Sequence, residues 1–100
     1  MIVNITEDKI FKEGDDGVLH RVMDACCLVI PLDTTWKFQL EDRLYVMRLT
    51  SNKVEIKGEV SGEDSVTINS TGAKINQINK GALFVKVGEN EWDEIFGNMV

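Results

Sequence analysis

The sequence predicts an all-β fold, a small antiparallel β-sandwich or barrel-like module of short strands with at most one helical turn. Three observations predict it. Apolar and polar residues alternate with a period of two in several runs, which sends successive side chains to opposite faces of a sheet. The runs span about five residues and recur roughly every ten, the rhythm of sandwiches and barrels. Between them lie Gly, Asn, Asp and Ser, each a turn former for its own reason.

One hundred residues make one domain, 1–100, with no length for a second core. Hydrophobic residues are 43% and there is a single proline, which argues against disorder. Residues 1–13 hold two short alternations, Ile2–Ile5 and Lys9–Lys12, and are expected as an N-terminal arm or edge strand. Gly14-Asp15-Asp16-Gly17 is a strong turn signal. In the next segment Leu19, Val22, Met23 and Cys26 have helical spacing, yet Val18 to Met23 also alternate as a strand would. Cys26–Ile30 is a continuous β-favouring run stopped by Pro31. Two strands broken near Asp24-Ala25 are expected.

Asp33 is a candidate N-cap for a single helical turn within Asp33–Asp42. Leu44–Leu49 and Lys53–Lys57 alternate on either side of Thr50-Ser51-Asn52 and are expected to pair as a hairpin. A strand over Val66–Asn69, a turn over Ser70–Ala73 and a strand over Lys74–Ile78 follow. The stretch Gly81–Phe96 closes the chain. Leu83, Val85 and Val87 alternate with Phe84 and Lys86, Gly88-Glu89-Asn90-Glu91 breaks the pattern, and Trp92 opens a second strand. The remaining strands are expected to lie against this hairpin, with Trp92, Leu83, Val85 and Val87 as its structural positions and Pro31 as a further one at the end of the Cys26–Ile30 run.

The net charge is −6. Lys and Arg contacts to phosphate supply most nucleic-acid affinity, so an acidic chain without a basic stripe argues against DNA or RNA as partner. The N-terminus lacks the basic start and apolar core of a signal peptide. The longest apolar run, Ala25–Leu32, contains Pro31 and is far short of a membrane span. No membrane partner is expected.

Candidate chemistry is sparse. His20 is the single histidine, and with Cys26 and Cys27 it matches no zinc spacing. Adjacent cysteines on a strand face opposite ways, so both are expected as small core or near-core thiols in a reduced compartment. A nucleophilic cysteine would need a base held beside its thiolate, and only His20 is a candidate. Asp15-Asp16 and Glu63-Asp64 supply too few oxygen ligands for a calcium loop. No enzyme activity, cofactor or metal is expected. Trp36 and Tyr45 remain as candidate ligand-stacking platforms, whereas Trp92 reads as core.

The order of motifs resembles a module of structural proteins of tailed bacteriophage virions, of the tail-fibre, appendage or capsid-decoration type. The opening falls on Asp16-Gly17, the proline on Pro31, the Phe-led turn on Phe38–Asp42 and the central strand on Lys53–Lys57. An Asn-Ser segment falls on Val66–Ser70. The closing Val-Gly-x-Asn-Glu-Trp signature falls on Val87-Gly88-Glu89-Asn90-Glu91-Trp92, with Gly97 after it. Glu41 stands where that pattern has Gly, and Glu55 where it has Thr. The resemblance implies a non-enzymatic virion protein made in the host bacterial cytoplasm, working with itself, as a homotrimer, and with other virion proteins. It would act as a capsid decoration, an adaptor or a short fibre component. A receptor- or glycan-binding fibre tip, touching a host surface glycan, is the alternative. A small cytoplasmic enzyme or regulator is a third reading, with His20 and the cysteines as its only chemistry.

Overall fold

The computed structural model of the chain describes residues 1–70 and 78–95, in which eleven strands and no helix form. The first six are β1 (Ile2–Ile5), β2 (Lys9–Ile10), β3 (Leu19–Val22), β4 (Cys26–Ile30), β5 (Arg43–Arg48) and β6 (Val54–Gly58). They alternate between two sheets. β1, β3 and β5 lie side by side in one, β2, β4 and β6 in the other, and every adjacent pair among them is parallel. The chain therefore winds, each turn of the winding laying one strand in each sheet.

The rest is built differently. β7 (Val60–Ser61) and β8 (Asp64–Ser65) make a short antiparallel pair. β9 (Thr67–Asn69), β10 (Gly81–Gly88) and β11 (Glu91–Glu94) complete the first sheet, in the order β1-β3-β5-β10-β11-β9. β10 runs antiparallel to both β5 and β11, while β9 is parallel to β11. The all-β expectation holds. The antiparallel expectation does not: five of the eight pairings are parallel. Among the described residues neither large sheet closes on itself.

The expected hairpin of Leu44–Leu49 with Lys53–Lys57 is corrected for the same reason. β5 and β6 belong to different sheets, so residues 50–52 carry the chain across the core instead of back along its neighbour. Arg48 fixes that corner by donating to the carbonyls of Thr50, Ser51 and Asn52 at 2.9, 3.1 and 2.8 Å. The corner stacks on the one before it. Leu49 N donates to Val22 O, Cys26 N to Lys53 O and Asn52 Nδ2 to Asp24 Oδ1. Met23 N likewise donates to Ile5 O, so three successive corners satisfy one another's backbone groups.

One cluster of apolar side chains lies between the sheets. Val22, Leu44, Val46, Ala82, Phe84 and Trp92 come from the first sheet, Cys26, Leu28, Ile30, Val54 and Ile56 from the second. The predicted break between two strands near Asp24-Ala25 is observed. β4 is central in its sheet, and Cys26, Leu28 and Ile30 point to the core while Cys27 and Val29 are half-buried. Gly58 ends β6 where a Cβ would lie 2.6 Å from Val66 Cβ, so only glycine fits there. The one helical turn is present: Thr35 N and Trp36 N both donate to Leu32 O. Asp33 does not cap it, because its carboxylate is committed to Lys86 and Asn90. Of the strand expected at Lys74–Ile78 and the turn at Ser70–Ala73, residues 71–77 lie outside the described residues.

Candidate functional site

The closing hairpin is observed as β10 and β11, with a register shift between Lys86 and Gly88 and a turn at Glu89-Asn90, where Asn90 takes φ 50°. Asparagine tolerates that left-handed conformation better than most residues. The inward set of β10 is Ala82, Phe84 and Lys86, joined by Trp92 from β11. Leu83 and Val85, two of the structural positions expected from sequence, are half-buried on the opposite face, and Val87, at the register shift, is exposed. Trp92 is fully buried and Pro31 is buried.

An inward lysine is the unexpected member. Lys86 is 3% exposed, and its ammonium pairs with the Asp33 carboxylate. Asp33 N donates to Asn90 Oδ1 at 2.7 Å, and Asn90 N lies 3.4 Å from Asp33 Oδ2. The pair thereby ties the helical turn to the hairpin turn. Beside it Phe38 meets Trp92 edge-on at 5.4 Å, and Lys86 Nζ sits 5.9 Å from the Trp92 ring centre. A cleft of about 630 Å³ opens next to this group, lined in part by Asp33, Lys37, Phe38, Gln39, Lys86 and Val87. Among the described residues the buried Trp92 Nε1 has no hydrogen-bond partner. Glu94, also inward-facing opposite Phe84, has its carboxyl pushed up by burial, against a lowering hydrogen bond from Ser70.

His20 sits elsewhere, fully buried on β3. Its Nδ1 is 3.1 Å from Tyr45 O and its Nε2 3.3 Å from Asp15 Oδ1. Phe11 packs edge-on at 4.9 Å. Asp15 also takes a hydrogen bond from Lys12 N and a salt bridge from Lys9. Each ring nitrogen thus faces an oxygen acceptor, and neither is aimed at a thiol. The imidazole pins the 14–17 turn to the sheet. Cys26 is buried, and burial first, then the charges of Asp8, Cys27 and Asp24, pushes its thiol up to about 11. Cys27 is half-buried and also raised, chiefly by burial, with Lys57 opposing. A raised thiol is a poor nucleophile at neutral pH. Among the described residues no group of three or more His, Cys, Asp and Glu side chains is placed to hold a metal ion.

The outer face of the six-stranded sheet is the other feature. Residues opposite one another in register share a face. Ile2, Leu19, Tyr45 and Leu83 are such partners across four strands, and Ile95, whose amide donates to Leu83 O, continues the row. Ile2 and Ile95 are 64% and 49% exposed. On one side of this band runs Asn4, Arg21, Met47 and Gly81; on the other, Arg43, Val85 and Asp93. Asn69 Nδ2 donates to Glu91 Oε2 and Asp93 Oδ1, both at 2.8 Å, and gathers two carboxylates at the far edge.

The structure therefore separates the candidate ligand-stacking residues. Tyr45 is a half-buried member of the outer band, whereas Trp36, 37% exposed, follows the helical turn that carries Asp33. Sequence reasoning passed over the Asp33–Lys86 pair. The signal was present: Lys86 shares the parity of Ala82, Phe84 and the buried face. Comparison with protein-family models, with curated proteins and with solved structures finds no match to this chain.

Proposed function

We propose that the chain is a non-enzymatic structural module of a tailed-phage virion, a small two-sheet β-sandwich that works by assembling with copies of itself and with other virion proteins. The virion setting comes from the order of motifs between Asp16 and Gly97. The assembly role is carried by one observation, the apolar band Ile2–Leu19–Tyr45–Leu83–Ile95 across the outer face of the large sheet. A contiguous apolar strip on a small protein marks an interaction surface more often than a solvated face. The shared core of the two sheets supports the sandwich description. His20 with its two oxygen partners, and two thiols whose protonation is favoured, support the absence of catalysis.

Mass spectrometry of gradient-purified particles, from cells in which the chain is produced during infection, tests the reading. The chain should band with particles in a fixed ratio to the major capsid or tail protein. Recovery in the soluble fraction alone would sink it. A glycan-binding tip is the second reading, favoured by exposed Trp36 close in sequence to the polar cleft of Asp33, Lys37 and Gln39. Glycan binding lost in Trp36→Ala with an unchanged fold would put that reading first.

A further inference from the structure

We propose that the outer face of the six-stranded sheet docks a second copy of this chain, face to face, about a two-fold axis running along the strands between β5 and β10. The inference rests on the assembly reading and narrows it to one surface and a two-fold symmetry, in place of the homotrimer that the resemblance implies.

Charge complementarity within the face selects the occupant. In the order β1-β3-β5-β10-β11-β9 the outward cations, Arg21 and Arg43, stand on β3 and β5. The outward carboxylates, Glu91 and Asp93, stand on β11. Among the strand residues the face is thus basic on one half and acidic on the other, with the apolar band crossing both. Asp16, which accepts from Arg43 N at 2.8 Å, and Lys80, beside Gly81, stand at its ends. A two-fold rotation between β5 and β10 exchanges β5 with β10 and β3 with β11. Each basic half then covers the partner copy's acidic half. Arg43, Val85 and Asp93 share one register row, so the rotation sets Arg43 of each copy beside Asp93 of the other. The apolar band meets its own reverse, and a shallow depression of about 370 Å³ at Gly81, walled by Leu19, Tyr45, Met47 and Leu83, receives side chains of the opposing band. A nucleic acid would meet Glu91 and Asp93 on this face and is disfavoured.

The symmetry follows from the same layout. A patch complementary to itself gives an isologous contact, which closes at two copies. Two packed sheets with aligned strands are an established way to bury such faces. Six strands about 4.8 Å apart and roughly five residues long present a flat face of about 480 Å². That is about 960 Å² over both copies, in the weak class of interfaces, so a weak, concentration-dependent dimer is expected.

Sedimentation velocity of the full chain, at concentrations from about 10 to 500 μM chosen for a weak dimer, is the first measurement. A mass near twice 11.3 kDa at the upper end is expected. The second uses two single variants, Arg43→Glu and Asp93→Arg, with circular dichroism confirming that each folds. Each alone should dimerise at least about tenfold more weakly, because like charges then meet across the contact. An equimolar mixture should recover dimers. In the mixed pair the carboxylate introduced on one chain faces the guanidinium introduced on the other, and the native Arg43 meets the native Asp93. An ion pair within one chain cannot give that recovery. If either variant misfolds, Leu83→Gln on the same band replaces it and should weaken dimers without changing the dichroism. A wild-type monomer at the upper concentration, a three-copy mass, or a mixture that stays monomeric would overturn the two-fold docking. Particle incorporation despite such a result would leave the assembly reading standing. A dimer never found on particles would remove the virion reading and keep the dimer.

Discussion

The wound half of the molecule, β1 to β6, and the closing hairpin, β10 and β11, bury different chemistry. The wound half fills its share of the core with Val22, Cys26, Leu28, Ile30, Val54 and Ile56, and its one buried imidazole has oxygen partners on both nitrogens. The hairpin buries Phe84, Trp92 and Lys86 and half-buries the raised carboxyl of Glu94. The first half is held by apolar packing, by corners that satisfy one another and by Asp15 between His20 and Lys9 at its end. The second is held by a large aromatic and by a charge that must stay paired. Damage to the hairpin should therefore cost more per substitution than damage of similar size in the wound half.

The largest effect is expected at Trp92. Trp92→Ala opens a void against Phe38 and should cost about 3–5 kcal/mol, much of a small domain's stability. Trp92→Phe keeps most of the volume and should be far milder. Thermal unfolding of the three proteins compares them; an unchanged midpoint for the Ala variant would erase the distinction between the halves.

Next is the ion pair. Asp33→Ala strands a buried ammonium and should cost about 3–5 kcal/mol, whereas Asp33→Leu combined with Lys86→Met should recover most of it. Urea unfolding of both variants measures the difference. Equal losses would mean that the pairing itself is not what holds Lys86 inside.

On the wound side, changing Cys26 and Cys27 together to Ser should cost only about 1–3 kcal/mol and leave the fold intact. The native Cys26 thiol keeps its proton to about 11, above its ordinary 9.0. Between those values the folded chain binds more protons than the unfolded one. The contribution of Cys26 to stability is thus whole below pH 9 and is lost as the pH rises through about 11. Across that window stability should fall more steeply with pH in wild type than in the Ser variant, which also removes the raised Cys27 thiol.

The smallest effect concerns the turn that leads into β5. Glu41 adopts φ 73°, with Asp42 N bonded to Gln39 O, a geometry suited to glycine at that position. Glu41→Gly should change stability by about 1 kcal/mol or less, upward where relief of strain exceeds the entropy cost. A clear loss would show that the Glu41 side chain has a role of its own.

The sequence made strands and turns legible, and concealed which strands pair. Alternation places Val54 and Ile56 on one face without naming a neighbour, and Thr50-Ser51-Asn52 has the same composition whether it reverses the chain or carries it to another sheet. The parallel winding was invisible for that reason. Leu83, Val85 and Val87 outrank Ala82, Phe84 and Lys86 in apolar character, yet the latter face the core, where Phe84 packs and Asp33 receives Lys86. Period alone defines two faces and leaves open which is inside. What did carry through was local: the break near Asp24-Ala25, the single turn at Leu32–Trp36, the Glu89-Asn90 turn and the burial of Trp92.

The winding also governs how the chain can find this structure. Adjacent strands of one sheet, such as β3 and β5, are separated by an entire strand of the other, so each pairing must close a long loop before it gains anything. The β10–β11 hairpin needs only a short turn and can form in about 1–10 μs. It has no β5 to lean on, however, until the earlier coils have stacked. Folding is therefore expected on the scale of about milliseconds to seconds, as for other domains dominated by distant pairings. A ribosome releasing this chain would emit every coil before the hairpin that locks them.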